Sequence, residues 1–359
     1  MSPSPFDSVS FPHGPSMPNR FMLAPLTNQQ SHADGTLSAD EHRWLAMRAH
    51  GGFGLTMTCA AHVQATGQGF AGQLGIFADE HIEALTGLAT ELNATGTLSY
   101  VQLHHAGNRS PAELIETTPV CPSDDPETGA RALTHTEVQL VVADFVAAAR
   151  RAEQAGFHGV ELHGAHGYLI CQFLSAELNR RNDEYGGSLE NRSRLLFEIV
   201  EGIRAECGPD LALAVRLSPE RFGMQTSEMV EVFGRLVDGG AVDLIDMSLW
   251  DVGRITDQAG FDDRTLLEVF ATLPRGEVRL GVAGKIHTPA DVQRVLAAGI
   301  DVAVLGRVAI LHHDYPRQLQ RDHTFEPRRA PQPRAVLAAE GVSPAFIDYL
   351  AGTFRLVAD

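Results

Sequence analysis

The chain is 359 residues long, and 45 acidic residues against 28 basic ones leave it with a net charge of −17. So acidic a surface repels phosphate backbones and excludes nucleic acid as a partner. Apolar residues make up 44% of the sequence, ample for one large core, yet no apolar run approaches the roughly 18 residues that cross a bilayer. No basic stretch followed by an apolar one opens the chain, so a cytoplasmic protein with no membrane partner is expected.

In chain order, a proline-rich stretch over residues 1–19 reads as a cap or arm across the floor of the domain next to it. Eight short apolar runs then alternate with longer amphipathic segments. The runs are Phe21–Leu26, Leu55–Ala60, Leu98–Leu103, Gly159–Leu162, Ala212–Leu217, Leu244–Met247, Val278–Val282 and Val302–Leu305. Each is apolar at nearly every position, as strands of a parallel sheet covered on both faces are. Thr136–Ala155, Asn191–Ala205 and Pro289–Ala298 read as helices, the last opening on an N-cap threonine followed by proline at the first helical position. Eight repeated β–α units predict a single α/β domain, a (β/α)8 TIM barrel over residues 20–323. No G-x-G-x-x-G follows the first strand, which argues against a doubly wound dinucleotide fold.

Residues 324–335, rich in proline and arginine, read as a linker, and Ser343-Pro344 opens a helix within a C-terminal extension over 324–359. Phe346, Tyr349 and Leu350 share one face of that helix. Ordinary packing is the expectation for this stripe, with cover over the active-site mouth as the alternative. Cys59, Cys121, Cys171 and Cys207 show no C-x-x-C spacing, so they read as buried thiols and no metal or iron–sulfur site is expected.

Barrels keep their chemistry where strands end, and the densest signal lies after the fourth strand. Glu161-Leu-His163-Gly-Ala-His166-Gly-Tyr168 brings two histidines and a tyrosine out within six residues. Neutral imidazoles donate hydrogen bonds to an oxygen that gains negative charge. A phenol holds its proton at neutral pH and acts as a general acid. The set suits a reaction that builds an enolate-like oxyanion and then protonates carbon. A two-histidine metal site and a structural tyrosine are the bland alternatives, and no third metal ligand stands at useful spacing.

These residues continue into Phe173-Leu-Ser175, Asn179-Arg-Arg181 and Asp183-Glu-Tyr-Gly-Gly-Ser-Leu-Glu-Asn-Arg192. Ala24-Pro-Leu-Thr27, Gln102-Leu-His-His-Ala-Gly107, Val215-Arg-Leu-Ser218, Ala283-Gly284 and Gly306-Arg307 accompany them in order. Together they resemble the Old Yellow Enzyme family from about residue 20 to residue 310. The resemblance implies bound FMN, with NAD(P)H as reductant. Gln102 resembles the glutamine that reads the flavin pyrimidine edge, and Arg216 the cation near N1. Pro25, Thr27 and Ala60 resemble residues against the isoalloxazine. Gly284, Lys285, Gly306 and Arg307, at the ends of strands seven and eight, match both the family and the usual phosphate site of barrels. His163 and His166 resemble the pair that holds a substrate carbonyl oxygen, and Tyr168 the proton donor.

The implied activity is ene-reduction of α,β-unsaturated carbonyl compounds by a ping-pong cycle on a small-molecule substrate. A flavin-dependent amine or N-methyl dehydrogenase on the same barrel is the alternative. A Schiff-base aldolase at Lys285, the chain's one lysine, and a non-catalytic flavin carrier rank below both. The sequence admits a homo-oligomer. Gln29 departs from the aromatic that several relatives carry there, while Asn108-Arg109 and Trp250-Asp251 are expected to shape the pocket, with no role assigned.

Overall fold

Eight parallel strands close on one another in the order β1-β8-β7-β6-β5-β4-β3-β2 in a computed structural model that describes residues 3–358. They are β1 (Phe21–Leu23), β2 (Leu55–His62), β3 (Leu98–His104), β4 (Gly159–Gly164), β5 (Ala212–Leu217), β6 (Leu244–Ser248), β7 (Arg279–Ala283) and β8 (Val302–Leu305). The protein is therefore a (β/α)8 barrel, as the alternation of apolar runs predicts. Seven runs end within two residues of the observed strands. β1 stops three residues early, because after Leu23 only Ala24 N–H is still tied to β8, through Leu305 O.

The three predicted helices appear as His135–Gln154, Leu189–Glu206 and Pro289–Ala297. The first is closed at its start by a capping box between Thr134 and Glu137, the last by one between Thr288 and Asp291, each worth about 1 kcal/mol. Helix His135–Gln154 turns Val138, Val141, Phe145, Ala148, Ala149 and Ala152 onto the sheet, the spacing of one helical face. A two-stranded element, Val120–Cys121 with Arg131–Ala132, lies outside the barrel and has no counterpart in the sequence reading.

Inside the barrel the lower layers are apolar: Met22, Leu55, Met57, Leu98, Tyr100, Ala212, Ala214, Leu244, Val302 and Val304 pack together. Val9 and Met17, paired across an antiparallel bridge, join this cluster from below, which puts the N-terminal segment against the barrel floor. Higher up, the strand register sets polar side chains abreast: Gln102 beside Glu161, His163 beside Arg216, and Arg216 beside Asp246. Register partners on parallel strands point to the same side, so these residues share the interior. The change from apolar to polar marks where filler ends and the site begins.

Candidate active site

The floor of the site is a four-residue network that the sequence reading only half contains. Gln102 Nε2 donates to Glu161 Oε1 at 2.7 Å, and Arg216 Nε stands 3.0 Å from Asp246 Oδ2. Glu161 and Asp246 are fully buried. Burial raises both carboxyls, and for Glu161 the nearby Asp246 adds to the effect while Arg216 opposes it, so that its value is pushed up to about 8. Asp246, in contact with the guanidinium, is the member that holds the negative charge, and Glu161 keeps its proton at neutral pH. The network is then neutral overall. The charge of Arg216, which the sequence reading places near the flavin N1, is offset by Asp246.

Glu161 and Asp246 could have been singled out from sequence. Each is an acidic residue within an otherwise apolar run, Gly-Val-Glu-Leu-His and Leu-Ile-Asp-Met-Ser, and a charge inside a buried strand needs a partner.

His163 and His166 leave β4 on a sharp turn. His166 takes a left-handed backbone conformation at φ 61°, followed by Gly167 at 72°. Ala165 N–H approaches His163 Nδ1 at 3.3 Å, which makes Nδ1 an acceptor and leaves the proton on Nε2, 3.3 Å from His166 Nδ1. His166 Nε2 in turn lies 2.7 Å from Ser248 Oγ at the end of β6. Both imidazoles are pushed well below the usual histidine range. Burial is the main cause for each, and the positive charges of Arg216 and Arg109 add to it. They are neutral donors at any ordinary pH.

Tyr168 completes the cluster, with its ring 5.1 Å from that of His163 and 4.4 Å from that of His104. His104 is buried, is also held well below the usual range by burial, and bonds to Gln73 Nε2 through Nδ1 at 3.0 Å. It stands in the predicted Gln102–Gly107 motif without a role assigned to it there.

Pro25 and Thr27, just past β1, are half-buried, and Ala60 lies beside Gln102 in the β2–β3 register. Tyr349 arrives from the C-terminal helix Pro344–Thr353. Its hydroxyl meets Thr27, and its phenol is raised by burial and by the neighbouring Tyr168, with the Thr27 bond opposing. The stripe on that helix thus divides: Phe346 and Leu350 are buried packing, whereas Tyr349 reaches the mouth.

β8 pairs with β7 so that Val304 lies opposite Ala283, which leaves Gly284 and Gly306 one residue out of step at the ends of neighbouring strands. A Cβ on Gly284 would come within 3.0 Å of the Asp251 and Val252 backbone nitrogens. Gly306 caps the short helix Arg307–Leu311, whose first N–H groups have no intrahelical acceptor. Lys285 sits at φ 54°, and its ammonium is held by Asp251 at 2.8 Å. Arg307 is exposed, with its Cζ 6.0 Å from the Phe354 ring. Apart from this region, His313, Asp314 and Glu340 bring possible metal-ligand atoms together, but His313 and Arg328 already satisfy Glu340.

Comparison with known proteins agrees with this geometry. Residues 14–326 match the model of the NADH:flavin oxidoreductase / NADH oxidase family. The chain is 36% identical over 313 residues to a probable NADH-dependent flavin oxidoreductase of Bacillus subtilis, covering 84% of each. Among solved structures it resembles the Old Yellow Enzyme homologue from Zymomonas mobilis, with TM-score 0.81, 27% identity, and 96% and 99% of the two chains covered. It also resembles morphinone reductase, with TM-score 0.80, 26% identity and 99% of each chain covered. Among the described residues no helix is long and apolar enough to cross a membrane.

Proposed function

Because the chain belongs to the NADH:flavin oxidoreductase / NADH oxidase family, the Old Yellow Enzyme family, we propose that it reduces the activated C=C bond of α,β-unsaturated carbonyl compounds with Tyr168 as proton donor. Membership makes it an NAD(P)H-dependent flavin oxidoreductase with FMN as cofactor. The residues fit that cofactor. Gln102 is almost fully buried, its amide nitrogen is spent on Glu161, and its oxygen is left as an acceptor for a ring N–H. Arg216 offers guanidinium N–H groups beyond the one facing Asp246. Pro25, Thr27 and Ala60 would line the ring's surface, and Gly284, Lys285, Gly306 and Arg307 would hold the phosphate. The FMN-binding unit would be residues 20–323, with residues 3–19 against its floor and the helix Pro344–Thr353 at its mouth.

FMN, when bound, supplies the hydride that it has taken from NAD(P)H. The chain's own side chains do the rest. His163 and His166 hold the substrate's carbonyl oxygen through Nε2–H, exchanging their bonds to each other and to Ser248 for bonds to that oxygen. Because both are neutral, they stabilise negative charge as it develops and do not surrender a proton to it. Tyr168, half-buried beside them, gives its proton to the carbon next to the carbonyl and regains one through the open mouth.

The observation that carries this reading is the cluster of His163, His166 and Tyr168 at the end of β4, with ring centroids about 5 Å apart and both imidazoles held neutral. The test is anaerobic. NADPH should bleach the flavin, and 2-cyclohexenone should restore its colour. Tyr168→Phe should slow the recovery by about 100-fold or more and affect the bleaching far less. Equal effects on both halves would remove Tyr168 from its role, and bleaching by an amine without NAD(P)H would move the enzyme to amine oxidation.

A further inference from the structure

Two arginines border the site without a part in the chemistry of hydride and proton transfer. Arg109 is exposed; it lays its guanidinium over the Tyr168 ring, with Cζ 4.8 Å from the centroid, and donates from Nη1 to the His166 carbonyl at 2.6 Å. Arg221, also exposed, lies over the Trp250 ring at 4.3 Å, and Trp250 stands 5.8 Å from His166. In a chain of net charge −17, neither guanidinium has a carboxylate partner among the described residues.

The backbone is strained to hold this arrangement. Arg221, Phe222 and Trp250 all take left-handed conformations, at φ 72°, 54° and 64°, which cost non-glycine residues about 1 kcal/mol or more each. The turn carries Phe222 onto Gly167, where an added Cβ would lie 2.8 Å from the Phe222 ring. Trp250 is thereby set beside His166, which is assigned to the substrate's oxygen, and Arg221 rests on Trp250. Strain of this kind persists only where the surrounding structure enforces it, and it clusters at active sites and ligand clamps.

A guanidinium stacked on an aromatic face keeps its in-plane N–H edges free, and those edges match a carboxylate. Resting on the ene-reductase reading, we propose that this enzyme selects unsaturated carbonyl substrates that also carry a carboxylate, and that Arg109 and Arg221 are the residues that select them. A phosphate on the ribose of NADPH is the competing anion. It lies at the opposite end of the dinucleotide from the nicotinamide, whereas Arg109 rests on Tyr168 and Arg221 on Trp250, the neighbour of His166, which favours the substrate.

The test uses the FMN-loaded enzyme reduced anaerobically, with recovery of flavin absorbance followed on adding trans-4-oxo-2-pentenoate, its methyl ester, or 2-cyclohexenone. The ester is intrinsically the more electrophilic of the first two, so a preference for the acid has to come from the protein. The acid should react at least 10-fold faster than the ester at low salt, and the advantage should shrink as salt rises. Arg221→Gln and Arg109→Gln should each cut the acid-to-ester ratio 5-fold or more, and Arg221→Lys should retain part of it.

A wild-type ratio near one, or a ratio unmoved in both glutamine variants, overturns the proposal while recovery with 2-cyclohexenone leaves the ene-reductase reading standing. A loss confined to flavin reduction by NADPH, and absent with NADH, also overturns it and assigns the arginines to the cofactor's phosphate. Failure of all three compounds to restore the colour overturns both readings.

Discussion

Glu161→Gln isolates the proton that keeps the floor of the site neutral. In the folded protein Glu161 titrates at about 8, against an ordinary 4.5. A carboxyl raised in this way contributes stability that is fully present below about pH 4.5 and is lost as pH rises through 8, because the unfolded chain releases the proton first. Each unit between the two values costs about 1.4 kcal/mol, so the loss approaches about 5 kcal/mol above pH 8. Glutamine has the shape of the protonated acid, can still accept from Gln102 Nε2 in place of the 2.7 Å bond, and does not titrate. Urea unfolding of the flavin-free protein should therefore show wild type and variant close together at pH 5, with the variant several kcal/mol more stable at pH 8.5. Groups remote from Glu161 cancel in the difference. Stability profiles that run parallel from pH 5 to pH 9 would refute the idea that Glu161 is protonated at the floor of the site.

Two further outcomes are expected. His166→Ala should slow alkene reduction by roughly 100-fold, the usual cost of one oxyanion donor, and should abolish the change in flavin absorbance caused by a phenol; unchanged phenol affinity would remove His166 from oxygen binding. Phe346 is fully buried, with its ring edge-on to Trp44 at 5.1 Å, so Phe346→Ala should cost about 3–5 kcal/mol in a denaturant titration. A loss below about 1 kcal/mol would show that the C-terminal helix is not docked against Trp44.

The amino-acid sequence by itself determined the strand count and the barrel, since a parallel strand buried on both faces has to be apolar almost throughout and leaves a continuous signature. It also determined the His163–His166–Tyr168 group, because these residues lie within one short turn and their neighbourhood is local. What the tertiary structure alone decided involves partners remote in the chain. Glu161 is an ordinary acid until the register of β4, β5 and β6 brings Arg216 and Asp246 beside it. Ser248 is an ordinary serine until β6 sets it against His166. Tyr349 reads as packing until its helix comes to rest on Thr27, and Arg221 as a surface charge until a strained turn lays it on Trp250. Side-chain periodicity reports burial, which each residue carries with it. Proton affinity, donor direction and charge pairing are set by whatever the closed barrel puts opposite, and no local pattern encodes that.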